Sequence, residues 1–462
     1  MAVKPITYDI IGSSMDIHNY VRAHGSQNLK DALPVATPDN SRQIGTILLA
    51  NTAVRNEYLP AMYNRIALVQ IQSERYDDPL SPFKSGKLEV GNTIEESFVD
   101  LIDVFKYDPA VDQNKFWKRS LADVRSAFHV INYFVYYPVT INRNILSRAF
   151  LSWGGVDDMI AGLVDAMYKS AAYDEFITVK YNIALRILDG YTTAKEVPAI
   201  SKENMSDIAT VIKEVSDEIT FLNPDHNPIG VHTQTSKDDQ YLFVTPKFNA
   251  NMDVNVLASA FNMEKAEFMG HKILIDGFGK LDVARLKKIF TNSDGVTDEG
   301  YRELSQEDLT KLNSIVALLV DKKFFMWYDN VEEFTEFFNG RTIEWNYFYH
   351  LWELISTSPF AQCICFVPGK PTVDSVTVNP SEVTLSVGAE IDLTVNVTTS
   401  NFAPKAVNWT VDSDHATVDL SGHVKVLGTA QSAEQIVVTA TAVYPNTDGE
   451  YESATCTITV AW

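Results

Sequence analysis

Apolar residues recur along this chain at two periods. The helical period is clearest between Asn142 and Gly190, where Phe150, Trp153, Ile160, Leu163, Val164, Met167, Tyr168 and Ala171 fall three and four apart. Gly154-Gly155 precede Val156-Asp157-Asp158, acids suited to the positive end of a helix, and Gly190 is a natural stop. A helix unbroken from Val156 would run about 50 Å and form a structural spine, with a break near Tyr173 as the alternative. Shorter helical patterns cover Ser14 to Gly25, Ile44 to Asn56 (ended by Pro60), Ser206 to Phe221, Val254 to Phe261 and Ser305 to Leu319. Between the first two, Lys30 to Arg42 is turn-rich with little to bury, so the beginning of the chain reads as an arm that finds its partners elsewhere.

The strand period appears in Val69–Gln72, Thr93–Val104, Tyr241–Thr245, Lys272–Asp276 and Ala361–Val367. The first two predict a hairpin whose tip, Ser73 to Asn92, is polar and punctuated by proline and glycine. Loops beyond about 12–15 residues are uncommon in compact domains. This one reads either as disordered or as an arm reaching a neighbouring subunit. In the second case Arg75, Tyr76, Phe83, Lys84 and Lys87 are the candidate contacts. Fourteen aromatic residues crowd the window from Phe324 to Phe366, centred on Trp345-Asn346-Tyr347-Phe348-Tyr349-His350-Leu351-Trp352. That much aromatic surface belongs in a core or a subunit interface. With no catalytic groups nearby, core against the long helix is the favoured reading.

Pro368-Gly369-Lys370-Pro371 ends this pattern, and the remainder of the chain is all β. Residues 372–462 carry eight strand signals rich in Thr and Val, with Trp409 as the large aromatic of the expected core. About 90 residues suit an immunoglobulin-like sandwich. Cys456 has no partner cysteine there.

Composition narrows the classes. The chain has 462 residues, 45% hydrophobic and 21% charged, enough for two or three domains. No apolar window is long enough to span a membrane, and the N-terminus lacks the apolar core of a signal peptide, so assembly in the cytoplasm is expected. Three cysteines, two of them on one strand face, make no disulfide framework. A net charge of -22 excludes a protein that wraps nucleic acid, and suits a surface that repels it.

The search for chemistry returns nothing that holds. There is no His-Glu-x-x-His, nucleophile elbow or Cys-x-x-Cys. Gly277-Phe278-Gly279-Lys280 lacks phosphate-loop spacing. Asn292-Ser293-Asp294-Gly295 would put Phe290 and Tyr301 at the first and last positions of a calcium loop, so it is a turn. His232, His271 and His350 stand singly as structural histidines, Glu95-Glu96 and Glu332-Glu333 as solvated faces, and Lys84 and Lys87 as surface ion-pair residues. No catalytic, cofactor-binding or metal residue is assigned, no cofactor is implied, and the chain reads as a non-enzyme whose work is assembly.

Four stretches carry a family resemblance: Asn92-Thr93-Ile94-Glu95-Glu96; Val254 to Met263 with Leu257, Ala258, Ala260, Phe261 and Asn262; Ile275-Asp276-Gly277-Phe278; and Trp345 to Trp352. In order and spacing the chain resembles the major capsid protein of small short-tailed phages (Picovirinae type). These have the α+β capsid fold shared with tailed phages and herpesviruses, followed by an all-β bacterial Ig-like domain of group 2. The resemblance implies an N-terminal arm at 1–68 and an extended loop hairpin at 69–104 that overlaps an adjacent subunit. It implies a peripheral domain at 105–194 and 326–368 containing the spine helix, an axial domain at 195–325, and the Ig-like sandwich at 372–462. It further implies pentamers and hexamers that close an icosahedral or elongated head in the virion around double-stranded DNA, held without sequence-specific binding. Scaffolding and portal proteins would be partners, and no membrane is involved. Lys280 to Lys311 departs from the pattern as an insertion. The runner-up is a cell-surface adhesin, or another virion protein, carrying the same Ig-like domain.

Overall fold

The computed structural model describes residues 14–70, 78–88, 91–102, 104, 106, 124–142, 153–227, 229–252, 271–342, 344–419 and 421–461. The first elements among the described residues are four helices, α1 (Ser14–His24), α2 (Gln27–Ala32), α3 (Ser41–Ala50) and α4 (Thr52–Gln70). Ser26 caps α2 by accepting from Leu29 N–H. Asn51 separates α3 from α4, its side-chain oxygen accepting from the Ala53 and Val54 amides. The expected break therefore falls at Asn51, and α4 continues through Pro60 and takes in Val69 and Gln70, which the sequence suggested as a strand. Nor is this segment a bare arm. Val21, Leu29, Leu33, Ile44, Leu48, Tyr58 and Met62 are buried together with Ile141, Trp345 and Tyr347. Leu29 and Leu33 anchor the stretch that looked turn-rich, so packing overrides weak local propensity here.

After the loop at 78–88 come β1 (Thr93–Val99), β2 (Val124–Val130) and β3 (Tyr133–Asn142). β1 pairs antiparallel with β2, Thr93 opposite Val130 and Val99 opposite Val124. The hairpin predicted across 73–92 is thus replaced by a ribbon formed with a later strand. Then α5 (Trp153–Leu188) runs unbroken for 36 residues, about 54 Å. It passes Tyr173 without interruption and stops where predicted: Gly190 takes φ +75° and Tyr191 N–H reaches back to Arg186 O at 2.9 Å.

The middle of the chain gives β4 (Thr193–Val197), α6 (Met205–Glu218), β5 (Gln240–Val244), α7 (Pro246–Met252), β6 (His271–Leu274), α8 (Val283–Ile289), α9 (Gln306–Leu312), β7 (Ala317–Asp321), β8 (Phe325–Asn339), β9 (Glu344–Thr357) and β10 (Cys363–Pro368). The helix expected at Val254–Phe261 lies outside the described residues. The one expected at Ser305–Leu319 is divided. A reciprocal Ser305–Asp308 cap starts α9, but the apolar run after it becomes β7, buried along its whole length. Five strands form a sheet in the order β4-β10-β7-β5-β6. One face, with Leu242, Leu319, Ile364 and Phe366, packs on Ile208, Ile212 and Val215 of α6. The other, with Phe243, Leu318, Val320, Cys363 and Cys365, packs on Ile177, Tyr181 and Ala184 of α5. A second sheet, β3-β9-β8, lies along the same helix.

Beyond Pro371 lie nine strands where eight were read: β11 (Thr372–Asn379), β12 (Glu382–Ser386), β13 (Glu390–Asp392), β14 (Thr394–Ser400), β15 (Val407–Val411), β16 (Ala416–Val418), β17 (His423–Val426), β18 (Gln435–Ala442) and β19 (Ser453–Ala461). One layer is β12-β19-β18-β15, and the rest form β11-β14 and β13-β17-β16. The core is aliphatic, with Val373, Ile436, Val438 and Ile458 and the buried thiol Cys456. Trp409, expected at its centre, is only half-buried at the edge. Gly422, at φ +85°, passes so close that a Cβ there would lie 2.9 Å from the indole.

Candidate functional site: a lysine-anchored loop and a two-faced aromatic sheet

Antiparallel register divides β9 cleanly. Trp345, Tyr347, Tyr349, Leu351, Glu353 and Ile355 point inward and are buried. Asn346, Phe348, His350 and Trp352 point the other way, where β3 aligns Phe134 with Trp352, Tyr136 with His350 and Pro138 with Phe348. The outward rings form a ladder. Phe134 meets Trp352 edge-on at 5.8 Å between centroids, and Tyr136 meets Phe348 at 6.0 Å and His350 at 5.8 Å. Phe134 (59%), Tyr136 (57%) and Trp352 (40%) remain exposed, as does Phe337 on β8. The reading of the whole aromatic segment as core is therefore corrected: the inner half is core, and the outer half is left partly exposed among the described residues. The β1–β2 ribbon exposes Val99, Val124, Phe128 and Val130 on one face, together with Thr93, Glu95, Ser97 and Ser126.

The loop at 78–88 is tied to the inner side. Phe83 is 2% exposed and wedged among Phe325 (4.1 Å), Tyr241 (4.7 Å) and Phe243 (5.6 Å). Ser85 N–H donates to Trp327 O, Asp329 N–H to Gly86 O and Leu88 N–H to Asp329 O, so the loop lies as a short extra strand on β8. Lys84 Nζ sits 2.6 Å from Glu353 Oε1, 2.7 Å from Asp329 Oδ1 and 3.3 Å from Glu175 Oε1, above the Trp327 ring. Trp327 Nε1–H donates to the other Glu353 oxygen at 3.0 Å. Asp329 keeps the inward parity of Phe325 and Trp327 and lies opposite Glu353; the register shift between it and Val331 then inverts the parity, so that Glu332 and Phe334 face inward opposite Leu351 and Tyr349.

One cation thus serves three acids. Burial alone would lower the Lys84 ammonium, but Glu175, Glu353 and Asp329 reverse this and hold it above its ordinary value. Burial, reinforced by the Glu175 charge, pushes the fully buried Glu353 carboxyl well up against the pull of Lys84. Burial raises Glu175 too. Burial thus holds both acids above their ordinary range, and Lys84 is the cation that offsets them.

Of the predicted contact residues, Phe83 and Lys84 are therefore turned into their own chain, because the loop folds back on β8. Lys87 is exposed and bridges to Asp329 through the backbone. Arg75 and Tyr76 lie outside the described residues. Sequence reasoning missed Glu175, Asp329 and Glu353. Glu353 had left a signal: it is the one charge at the inward parity of β9 between Trp345 and Ile355. The glutamate pairs, read as solvated, are half used. Glu96 accepts from Ser358 Oγ at 2.7 Å and meets His129 Nε2 at 3.1 Å, and Glu332 accepts from Tyr349 Oη at 2.8 Å. The histidines are held structurally, His232 against Asp100 (2.9 Å) and His350 against Thr335 (3.0 Å). Asn292 closes a turn by accepting from the Asp294 and Val296 amides. Burial pushes the Cys363 and Cys365 thiols up, which leaves them unreactive. Among the described residues no group of three or more His, Cys, Asp or Glu side chains is placed to hold a metal ion, and no helix is long and apolar enough to cross a membrane.

Comparison of the fold gives the class. A chain from the capsid structure of Staphylococcus phage Andhra superposes with a TM-score of 0.50 at 14% identity, covering 64% of this chain and 86% of that one. A chain from the structure of the head fibre and inner core protein of native bacteriophage P68 gives 0.50 at 13%, covering 64% and 87%. The fold is that of tailed-phage capsid proteins. Residues 18–367 match the family described as Phi29-like phage major capsid protein, and the chain belongs to it. Residues 372–450 match the group 2 bacterial Ig-like domain. The major capsid protein of Bacillus phage B103 is 30% identical over 437 residues, 93% of this chain and 90% of that one. That of Streptococcus phage Cp-1 is 25% identical over 362 residues, 75% and 92% respectively. The chain is a shell-forming structural protein of the virion, and the adhesin reading falls away.

Proposed function

We propose that subunits join into pentamers and hexamers by laying the exposed face of the β1–β2 ribbon of one copy against the outward aromatic ladder of β3 and β9 on the next. The ladder carries this reading. Five rings, Phe134, Tyr136, Phe348, His350 and Trp352, stand on one partly exposed sheet face, and patches of that kind mark interaction sites. A heterologous contact between two different surfaces closes into rings, as a shell vertex requires. Arg75, Tyr76 and Lys87 are the loop residues left to reach a neighbour. On this reading 195–325 is the axial part and 105–194 with 326–368 the peripheral part, onto which the helices of 1–68 pack, and within 69–104 it is the β1–β2 ribbon that overlaps the neighbour. Scaffolding and portal proteins guide closure, and the net charge of -22 keeps the double-stranded DNA inside from adhering to the wall. The protein performs this work without catalysis.

The test is the double variant Phe134→Ser/Trp352→Ser, expressed with a scaffolding protein and viewed by electron microscopy. Both side chains are exposed, so the urea midpoint of the unassembled subunit should stay within about 0.5 kcal/mol of the parent, while closed shells disappear. Shells of normal yield and size would refute the assignment of this face.

A further inference from the structure

The sandwich is not a free appendage of the shell domain. β14 turns at Asn401-Phe402, and both residues have positive φ, +51° and +59°, with Ala403 N–H closing onto Ser400 O at 3.2 Å. That is the pattern of a type I′ turn, whose second central position calls for glycine. A phenylalanine there is strained, and nothing inside the sandwich needs it. Its ring instead packs against the core of the shell domain that surrounds α5. Three residues on, Lys405 completes the docking. Its Nζ donates to Leu188 O, one of the last carbonyls of α5, at 3.0 Å, and its backbone N–H donates to Gly190 O at 3.3 Å. A cation on these carbonyls opposes the negative end of the helix dipole. The approach depends on Gly190: a Cβ there would lie 2.7 Å from Lys405 Cγ and 2.9 Å from Lys405 N.

We propose that Phe402 and Lys405 form a latch that docks the Ig-like domain onto the C-terminal end of the spine helix, and that the strained turn keeps this docking reversible. A cleft of about 650 Å³ opens beside the latch between β14 and Arg302, Asp308 and Lys311, and another of about 840 Å³ surrounds the Pro368–Pro371 connection. Gly369 in that connection, at φ +93°, gives a hinge. Released from the latch, the sandwich swings about residues 368–371. One sequence thereby carries its outer domain in more than one orientation around shell axes of different symmetry. The latch itself is a property of the single chain and does not rest on the proposed subunit contact.

The turn chemistry makes a two-sided test. Phe402→Gly supplies the residue that the turn prefers, so the sandwich should hold or gain stability while docking is lost. Hydrogen exchange of the full-length chain reads both. Expected is about tenfold faster exchange of the Asp189, Gly190 and Tyr191 amides, the scale of one lost helix-end contact, with β18 and β19 protected at least as well as in the parent. Lys405→Met should do the same, Lys405→Arg should restore protection, and a nonspecific protease should cut Phe402→Gly faster between 368 and 371. Unchanged protection at 189–191 in both Phe402→Gly and Lys405→Met would overturn the latch. So would a Phe402→Gly chain whose sandwich exchanges faster than the parent's, because the phenylalanine would then be serving the sandwich itself.

Discussion

Lys84→Met isolates the anchor of the loop. Methionine keeps the length of the chain over Trp327 but removes the cation shared by Glu175, Asp329 and Glu353. Removing one partner of a buried pair costs about 3–5 kcal/mol, mostly the penalty of the charge left behind. Here Lys84 is 24% and Asp329 26% exposed, so the lower end, about 3 kcal/mol, applies. Exchange of the Ser85 and Leu88 amides, which bond to the β8 backbone, should then rise about a hundredfold. Glu353→Gln should cost about 1–3 kcal/mol, because an amide offers one oxygen where Glu353 accepts from both Lys84 Nζ and Trp327 Nε1–H. The two differ again in pH dependence. The folded carboxyl of Glu353 titrates above its unfolded value near about 4.3. Between those values the folded state binds the extra proton, so stability falls as pH rises through the folded value, by up to about 1.4 kcal/mol per pH unit for one proton. Glu175 is raised in the same sense and adds to the slope. With intrinsic exchange rates divided out, the loop amides of the parent should therefore open more readily as pH rises from just above the unfolded carboxyl value of about 4.3, and those of Glu353→Gln should show a shallower trend. A Lys84→Met chain exchanging within roughly twofold of the parent would refute the anchor. Identical slopes in parent and Glu353→Gln would refute an upward-shifted Glu353 carboxyl.

Two further substitutions check the packing beneath the site. Gly279→Ala would put a methyl group 2.1 Å from Leu309 O and 2.9 Å from the Asn313 amide; backbone must move, and a urea midpoint should register a loss of at least about 1–3 kcal/mol. Leu29→Ala should destabilise the N-terminal helices by about 2–5 kcal/mol and speed proteolysis between α1 and α4; an unchanged digestion pattern would mean that the first four helices do rely on partners outside the chain.

How far each element could be read from the sequence depends on the range of the interaction responsible. The spine helix was legible because every turn repeats the same signal, and its end because Gly190 fits a local steric rule. The Asn51 boundary and the Ser305 cap were equally local, but a proline nearby at 60 outweighed the asparagine, although α4 has the packing of Tyr58, Leu59 and Met62 to hold it straight through. Pairing was not legible. Thr93–Val104 looked like a strand and is one only as far as Val99, yet its partner comes after the stretch 107–123, and nothing local distinguishes Val124–Val130 from Val69–Gln72 as that partner. The anchor was half legible. A glutamate at the core parity of β9 announces a buried charge, but the lysine that answers it lies 269 positions earlier in the chain.

The aromatic strand shows a different limit. β7 and β10 are apolar on both faces because α5 covers one side of their sheet and α6 the other. β9 has the same two-sided pattern, aromatic at Trp345, Tyr347 and Tyr349 and again at Phe348 and Trp352. Its inner face is covered by α5 and the N-terminal helices, while on its outer face Phe134, Tyr136 and Trp352 stay exposed among the described residues. A sequence records which residues are buried where the protein works, not in which molecule their cover resides. If the neighbouring ribbon supplies that cover, β9 was read correctly as core and wrongly as the core of one subunit. Its outer rings then contribute little to the stability of the free chain and much to that of the shell, where binding between copies stabilises the fold by mass action. The subunit should therefore gain resistance to urea on assembly, and Trp352→Ser should abolish that gain while leaving the free subunit as it was.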